Sequence, residues 1–242
     1  MAAPLVSLRQ VDKVFHTPAG AFPALRGVAL ELPAGELVAV VGRSGSGKTT
    51  LVQLIAGLDR PSAGEVWVDG TRVDALSERA LARWRGRRVG VVFQFFQLLP
   101  TLTALENVCL PMDLCGTLAG AAARARGLAL LDAVGIADHA HKLPSGLSGG
   151  QQQRAAIARA LANDPALVLA DEPTGNLDSE TADVVLGLLA GLVRDGKTVL
   201  YVTHEPPRDT VDRVVTLSDG RIVDVAVRST PARSALAEVA GG

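Results

Sequence analysis

Cysteine, net charge and long apolar runs are what this sequence has least of. Of 242 residues only Cys109 and Cys115 are cysteine. Two thiols cannot make a disulfide framework, and with no partners at metal-ligand spacing they read as small buried hydrophobes. The 24 Lys and Arg nearly balance the 25 Asp and Glu, leaving a formal charge of −1. That excludes wholesale electrostatic binding to nucleic acid or an anionic surface. No window approaches the ~20 apolar residues of a bilayer span. Arg9, Asp12 and Lys13 come before any apolar run of signal-peptide length, so the expected compartment is the cytoplasm. What remains is the material of a sizeable core, 48% hydrophobic and 20% charged, enough for one large domain or two small ones. No internal repeat is present.

The first third alternates short strand signals with turns. Val6-Ser7-Leu8-Arg9 alternates, and Glu65-Val66-Trp67-Val68 runs through Asp69-Gly70 into Thr71-Arg72-Val73, a hairpin signal. Leu37-Val38-Ala39-Val40-Val41 is apolar at every position, as a parallel strand buried on both faces must be. Residues 89–93, 166–170 and 199–202 follow suit, with helical stretches between, so the expectation is a parallel α/β core. Residues 98–162 are rich in Ala and Leu and broken at Pro100, Pro111, Gly116, Gly135 and Pro144, which predicts a helical insertion. The basic run Arg79, Arg83, Arg85, Arg87 and Arg88 around Trp84 reads as a solvated helix face. Periodicity fades after Val225, so residues 226–242 are expected to be a loosely held tail.

Gly42-Arg43-Ser44-Gly45-Ser46-Gly47-Lys48-Thr49 matches G-x-x-x-x-G-K-[ST] in full. Glycines let the backbone curl its N–H groups around phosphate oxygens, and the following helix adds its positive end. Lys48 suits the β/γ-phosphates and the Thr49 hydroxyl suits Mg²⁺. An apolar strand before the loop and an apolar helix after it (Leu51, Leu54, Ile55, Leu58) supply the required context. Further on, the strand at 166–170 ends in Asp171-Glu172-Pro173. Carboxylates at the carboxyl end of a buried strand sit where open α/β sheets bind ligands. Asp171 suits the Mg²⁺ shell, and Glu172 suits the base that polarises the attacking water.

Leu147-Ser148-Gly149-Gly150-Gln151 opens a helix expected to reach about residue 162. Ser148 and Gln151 have capping-box spacing, while two glycines in a first turn weaken a helix but allow close approach to phosphate. With the phosphate loop upstream and the carboxylate pair downstream, LSGGQQQR resembles the ATP-binding cassette (ABC) transporter ATPases, from Leu5 to about Val225. The resemblance implies an α/β P-loop NTPase domain over residues 1–225. It would have a mostly parallel core sheet, an antiparallel β subdomain and a helical subdomain at about 98–162. ATP and Mg²⁺ are the implied cofactors. Gly42, Arg43, Ser44, Gly45, Ser46, Gly47, Lys48, Thr49 and Thr50 would bind ATP, and Phe15 would stack on adenine. Thr49, Gln94 and Asp171 would serve the metal, and Glu172, Gln94 and His204 the chemistry. Asp178 would stand in the loop along a dimer interface. Ser148, Gly149, Gly150 and Gln151 would act in trans on nucleotide held by a second copy. His16, His139 and His141 match no motif and are expected at the surface.

Gln94-Phe95-Phe96-Gln97-Leu98-Leu99-Pro100, with Glu106-Asn107-Val108 and Ala170 to Asp178, is similar to the macrolide-export, lipoprotein-release and cell-division ATPases. The resemblance implies a homodimer, peripheral on the cytoplasmic face of the inner membrane, that drives a separate permease without binding nucleic acid. Phe95, Phe96, Leu98 and Leu99 would form a socket for that permease or pack in the helical core. An importer subunit, or a soluble repair or translation ATPase, are the alternatives.

Overall fold

The computed structural model describes residues 3–18 and 20–228. Among these residues ten strands and six α-helices follow one another in an order set by two sheets. A four-stranded antiparallel sheet is formed by β1 (Val6–Thr17), β2 (Gly20–Leu32), β4 (Ala63–Val68) and β5 (Thr71–Arg72), in the order β2-β1-β4-β5. A six-stranded sheet holds β3 (Leu37–Val41), β6 (Val89–Val92), β7 (Leu167–Asp171), β8 (Thr198–Thr203), β9 (Arg213–Ser218) and β10 (Arg221–Val227), in the order β10-β9-β3-β8-β7-β6. Its strands pair in parallel except at β9–β10.

The uninterrupted apolar strands have a direct explanation. Along β3, Val38 and Val40 enter the core between the two sheets, while Leu37 and Ala39 enter the core beneath the helices. Strands β7 and β8 divide in the same way: Leu167, Leu169, Leu200 and Val202 face one core, and Val168, Ala170, Val199 and Tyr201 the other. A strand with two buried faces has no position left for a polar residue. Helix α1 (Lys48–Ile55) fills the first core, with α2 (Glu78–Arg88) at its edge.

Between β6 and β7 the chain leaves the sheet to form α3 (Ala104–Cys115), α4 (Gly120–Ala133) and α5 (Gly149–Ala160), the insertion that the composition predicts. Helix α6 (Ser179–Arg194) then packs Val185 and Leu189 against the second core. Cys109 is buried there, and burial pushes its thiol pKa up, as expected of an inert hydrophobe. Helix α5 stops two residues short of the expected end. Strand β10 runs past Val225 to Val227, and the rest of the expected tail, from residue 229, lies outside the described residues. The basic run is only partly a solvated face. Arg85 donates to the Gly57 carbonyl at 2.6 Å and Arg87 to the Cys115 carbonyl at 3.1 Å, so α2 is pinned to two neighbours.

Candidate active site

The carboxyl ends of β3, β6, β7 and β8 gather the residues singled out from the sequence. After β3, residues 42–47 turn tightly because two of the glycines have no room for a side chain. A Cβ on Gly42 would lie 2.2 Å from the Leu217 carbonyl oxygen, and one on Gly47, at φ 104°, would lie 2.5 Å from that of Ala24. Gly45, also left-handed, faces open space. The buried Ser46 amide donates to the Arg43 carbonyl and its own carbonyl accepts from Gly220, but its hydroxyl has no partner among the described residues. Lys48 is buried, and its Nζ donates to the Gly42 and Arg43 carbonyls at 2.9 and 3.1 Å. Arg43 and Ser44 are exposed, and Thr50 is half-buried in the first turn of α1. A crowded loop, an unpartnered buried hydroxyl and a helix N-terminus together fit an anion of phosphate size.

Two carboxylates stand opposite that loop. Thr49 Oγ1 donates to Asp171 Oδ1 at 3.2 Å, so two of the three expected metal ligands already touch. Burial raises the Asp171 pKa, the Thr49 hydrogen bond opposes this, and the Glu172 charge adds to it. Glu172 has φ 45°, a left-handed geometry rare for a side-chain-bearing residue and found where a site is over-determined. Its amide donates to the Val202 carbonyl at 3.1 Å, and its Oε2 lies 3.0 Å from His204 Nδ1. Gln94 closes over the same spot. A Cβ on Gly175 would meet Gln94 Nε2 at 3.2 Å and Glu172 Oε2 at 3.3 Å, so glycine there lets three elements converge. Asn176 Nδ2 donates to the Gln94 carbonyl at 3.3 Å. Gly175 and Asn176 stood in the sequence only as members of a run; their individual roles depend on contacts with residues far away in the chain.

Phe15 lies on β1 opposite Phe22 of β2, and Lys13 Nζ stands 4.8 Å from its ring centre. Asp178 caps α6 by accepting from the Thr181 amide at 2.9 Å, a structural role in the helix start. Ser148 caps α5 with the full capping box: its amide donates to Gln151 Oε1 at 2.9 Å and its Oγ accepts from the Gln151 amide at 3.3 Å. Gln151 Nε2 then lies 2.8 Å from His139 Nε2, so His139 is a partner of this turn (Leu147–Gln151, the signature turn) and not the bare surface residue expected; His16 and His141 are exposed. Gly149 faces Phe96 and Leu177, and a Cβ on Gly150 would lie 2.3 Å from Thr181 Cγ2. Among the described residues no hydrogen bond joins residues 148–151 to residues 42–50.

Two residues of α5 were assigned no role of their own from the sequence, Gln153 inside LSGGQQQR and Arg159 beyond it. Gln153 is fully buried and donates to the Pro173 carbonyl at 2.7 Å, bracing the turn after Glu172. Arg159 reaches the carbonyls of Phe96 and Gln97. The apolar quartet after Gln94 is split: Phe95 and Leu99 are 67% and 44% exposed, whereas Leu98 packs on the helical core and Phe96 against Gly149. A concave surface lies beside them, a cavity of about 960 Å³ between α2, β6, α3 and α5, lined by residues such as Arg83, Val91, Phe93, Gln97 and Leu114.

The model of the ABC transporter family matches residues 25–175, from β2 through the phosphate loop to the turn after the carboxylate pair. The chain belongs to the ABC transporter ATP-binding proteins. A lipoprotein-releasing system ATP-binding protein LolD of Anaeromyxobacter dehalogenans is 51% identical over 225 residues, 92% of this chain and 94% of that protein. The LolD of Hyphomonas neptunium is 43% identical, over 93% and 99%. A dimeric structure of the cassette MJ0796 in a post-hydrolysis state bound to ADP and Pi superposes with a TM-score of 0.86 at 41% identity, covering 93% of this chain and 99% of that one. The cassette shares the P-loop NTPase fold of that structure, with the antiparallel sheet, parallel core and inserted helices described above. No helix among the described residues is long and apolar enough to cross a membrane.

Proposed function

We propose that the cassette hydrolyses Mg-ATP at a site completed by a second copy of itself and uses the cycle to work a separate membrane permease. The convergence of Glu172, His204 and Gln94 over Gly175, beside the Thr49–Asp171 pair, carries the reading. With Glu172 Oε2 held by His204, Oε1 is the oxygen left to accept the proton of the attacking water. His204, engaged through Nδ1, leaves Nε2 for the terminal phosphate. Residues 42–50 cradle the phosphates, and Phe15 offers its ring to adenine. Thr49, Asp171 and Gln94 would hold Mg²⁺, which when bound neutralises charge on the β/γ-oxygens.

Support for the dimer is double. The signature turn is a capped helix start that, among the described residues, makes no hydrogen bond to the phosphate loop of its own chain, and the MJ0796 relative is dimeric with ADP and Pi bound. The groove between α2, β6, α3 and α5 is the surface suited to a permease segment, because Phe93 and Gln97 on its wall flank the stretch that follows Gln94. The LolD relatives favour export, lipoprotein release or transmembrane mechanical work by that permease. Glu172→Gln tests the core of the proposal. The variant should bind Mg-ATP, lose turnover by at least ~10³-fold, and run as an ATP-bound dimer in size-exclusion chromatography. Hydrolysis near the wild-type rate would remove Glu172 as the base.

A further inference from the structure

Arg159 lies near the end of α5, and its guanidinium reaches the chain just beyond Gln94. Nη2 donates to the Phe96 carbonyl at 2.8 Å and Nη1 to the Gln97 carbonyl at 2.5 Å. Those two residues have φ values of 57° and 53°, consecutive left-handed positions with neither occupied by glycine. Side-chain-bearing residues hold that geometry only where the surroundings impose it. No ion pair among the described residues involves Arg159, and burial lowers its pKa. A half-buried cation with no carboxylate is a poor space-filler, since Met or Leu would pack there without losing hydration. What Arg offers is a rigid fork of donors that matches two successive carbonyls.

The held turn is two residues from Gln94. Gln94 is fixed on its other side by Asn176 through its carbonyl, and its Nε2 lies over Gly175 beside Glu172. Arg159 and Gln97 also line the groove between α2, β6, α3 and α5. One side chain thus joins the signature helix, the wall of the groove and the turn that sets where Gln94 stands. We infer that Arg159 is a positioning residue for hydrolysis: it locks the left-handed turn at Phe96–Gln97 and through it aligns Gln94. The inference rests on the role of Gln94 given above. Its two hydrogen bonds go to backbone carbonyls, so any effect on hydrolysis passes through the turn they hold.

A double-mutant cycle on the full chain tests it, with kcat and KM for Mg-ATP as readouts and a melting curve for each variant. Arg159→Gln should lower kcat on the order of 10- to 100-fold, the range for a misplaced catalytic group, with KM changed less than about two-fold. Arg159→Lys, which keeps the charge but offers a point donor in place of a fork, should fall between. In a Gln94→Ala background Arg159→Gln should add nothing, because the group it positions is gone. Multiplicative losses in that background, or an unchanged kcat, would overturn the inference while leaving Gln94 in its role. Full activity of Gln94→Ala would overturn both. If Arg159→Gln does not fold, the same cycle run with Arg159→Lys decides between these outcomes.

Discussion

Burial raises the pKa of Asp171 above the ordinary carboxylate range, so its charged form is held at some expense to the fold. A raised folded pKa means the native state binds the proton more tightly than the unfolded state. The destabilisation is therefore full above the folded pKa and vanishes as pH falls below the unfolded one. Asp171→Asn, which keeps an acceptor for Thr49, should raise the melting temperature of the nucleotide-free cassette by about 2–4 °C at neutral pH. Thermal melts at decreasing pH should show that advantage shrinking, while Mg-ATP hydrolysis is lost. Gly150 makes a second case at this scale. Alanine in a helix gains up to ~1 kcal/mol over glycine, but a Cβ 2.3 Å from Thr181 Cγ2 overpacks at about 1–3 kcal/mol. Crowding wins, so Gly150→Ala should lower stability in denaturant titrations. Thr181→Ser keeps the Oγ1–Asp178 hydrogen bond, removes the methyl and should reverse the sign of the alanine effect. The signature glycine thus has a packing reason inside one chain besides any approach to phosphate.

Helix starts show how a local device and a functional one share a residue. Helix α3 begins with a full capping box in which the Thr103 amide donates to Glu106 Oε2 at 2.8 Å and Thr103 Oγ1 accepts from the Glu106 amide at 3.3 Å. Helix α5 begins the same way at Ser148 and Gln151. Thr103→Ala and Ser148→Ala should each cost about 1 kcal/mol by chemical denaturation. Only the second should impair ATPase activity, because only α5 carries the signature turn. Element placement was largely legible: β3, β7 and β8 read as strands because both faces are buried, and α1 because a phosphate loop must open a helix. The long β1–β2 hairpin was not. Bulges between Leu8 and Val14, with Gln10 left-handed at φ 49°, break the alternation that marks a strand. Arg159 and Gln153 were equally silent, because a polar residue on an amphipathic helix shows nothing of the distant carbonyl it binds.

Composite chemistry belongs to the whole molecule. If the signature turn serves a second copy, specific ATPase activity should rise with cassette concentration, as for any site assembled from two chains. Ser148→Arg should suppress that activity while monomer affinity for ATP, read by equilibrium titration, stays near wild type. A large loss of monomer affinity would instead place the signature on its own chain's nucleotide. By itself the sequence determined the phosphate loop, the carboxylate pair, the signature and the parallel core, because each depends on neighbours in the chain or on a period of burial. Tertiary structure alone decided that Gln94, Glu172, Gly175 and His204 meet, that Thr181 leaves no room for a side chain at Gly150, and that the groove lies beside Phe93 and not on the exposed Phe95. Those contacts join residues far apart in sequence, and only the folded sheet and its packed helices bring them within reach.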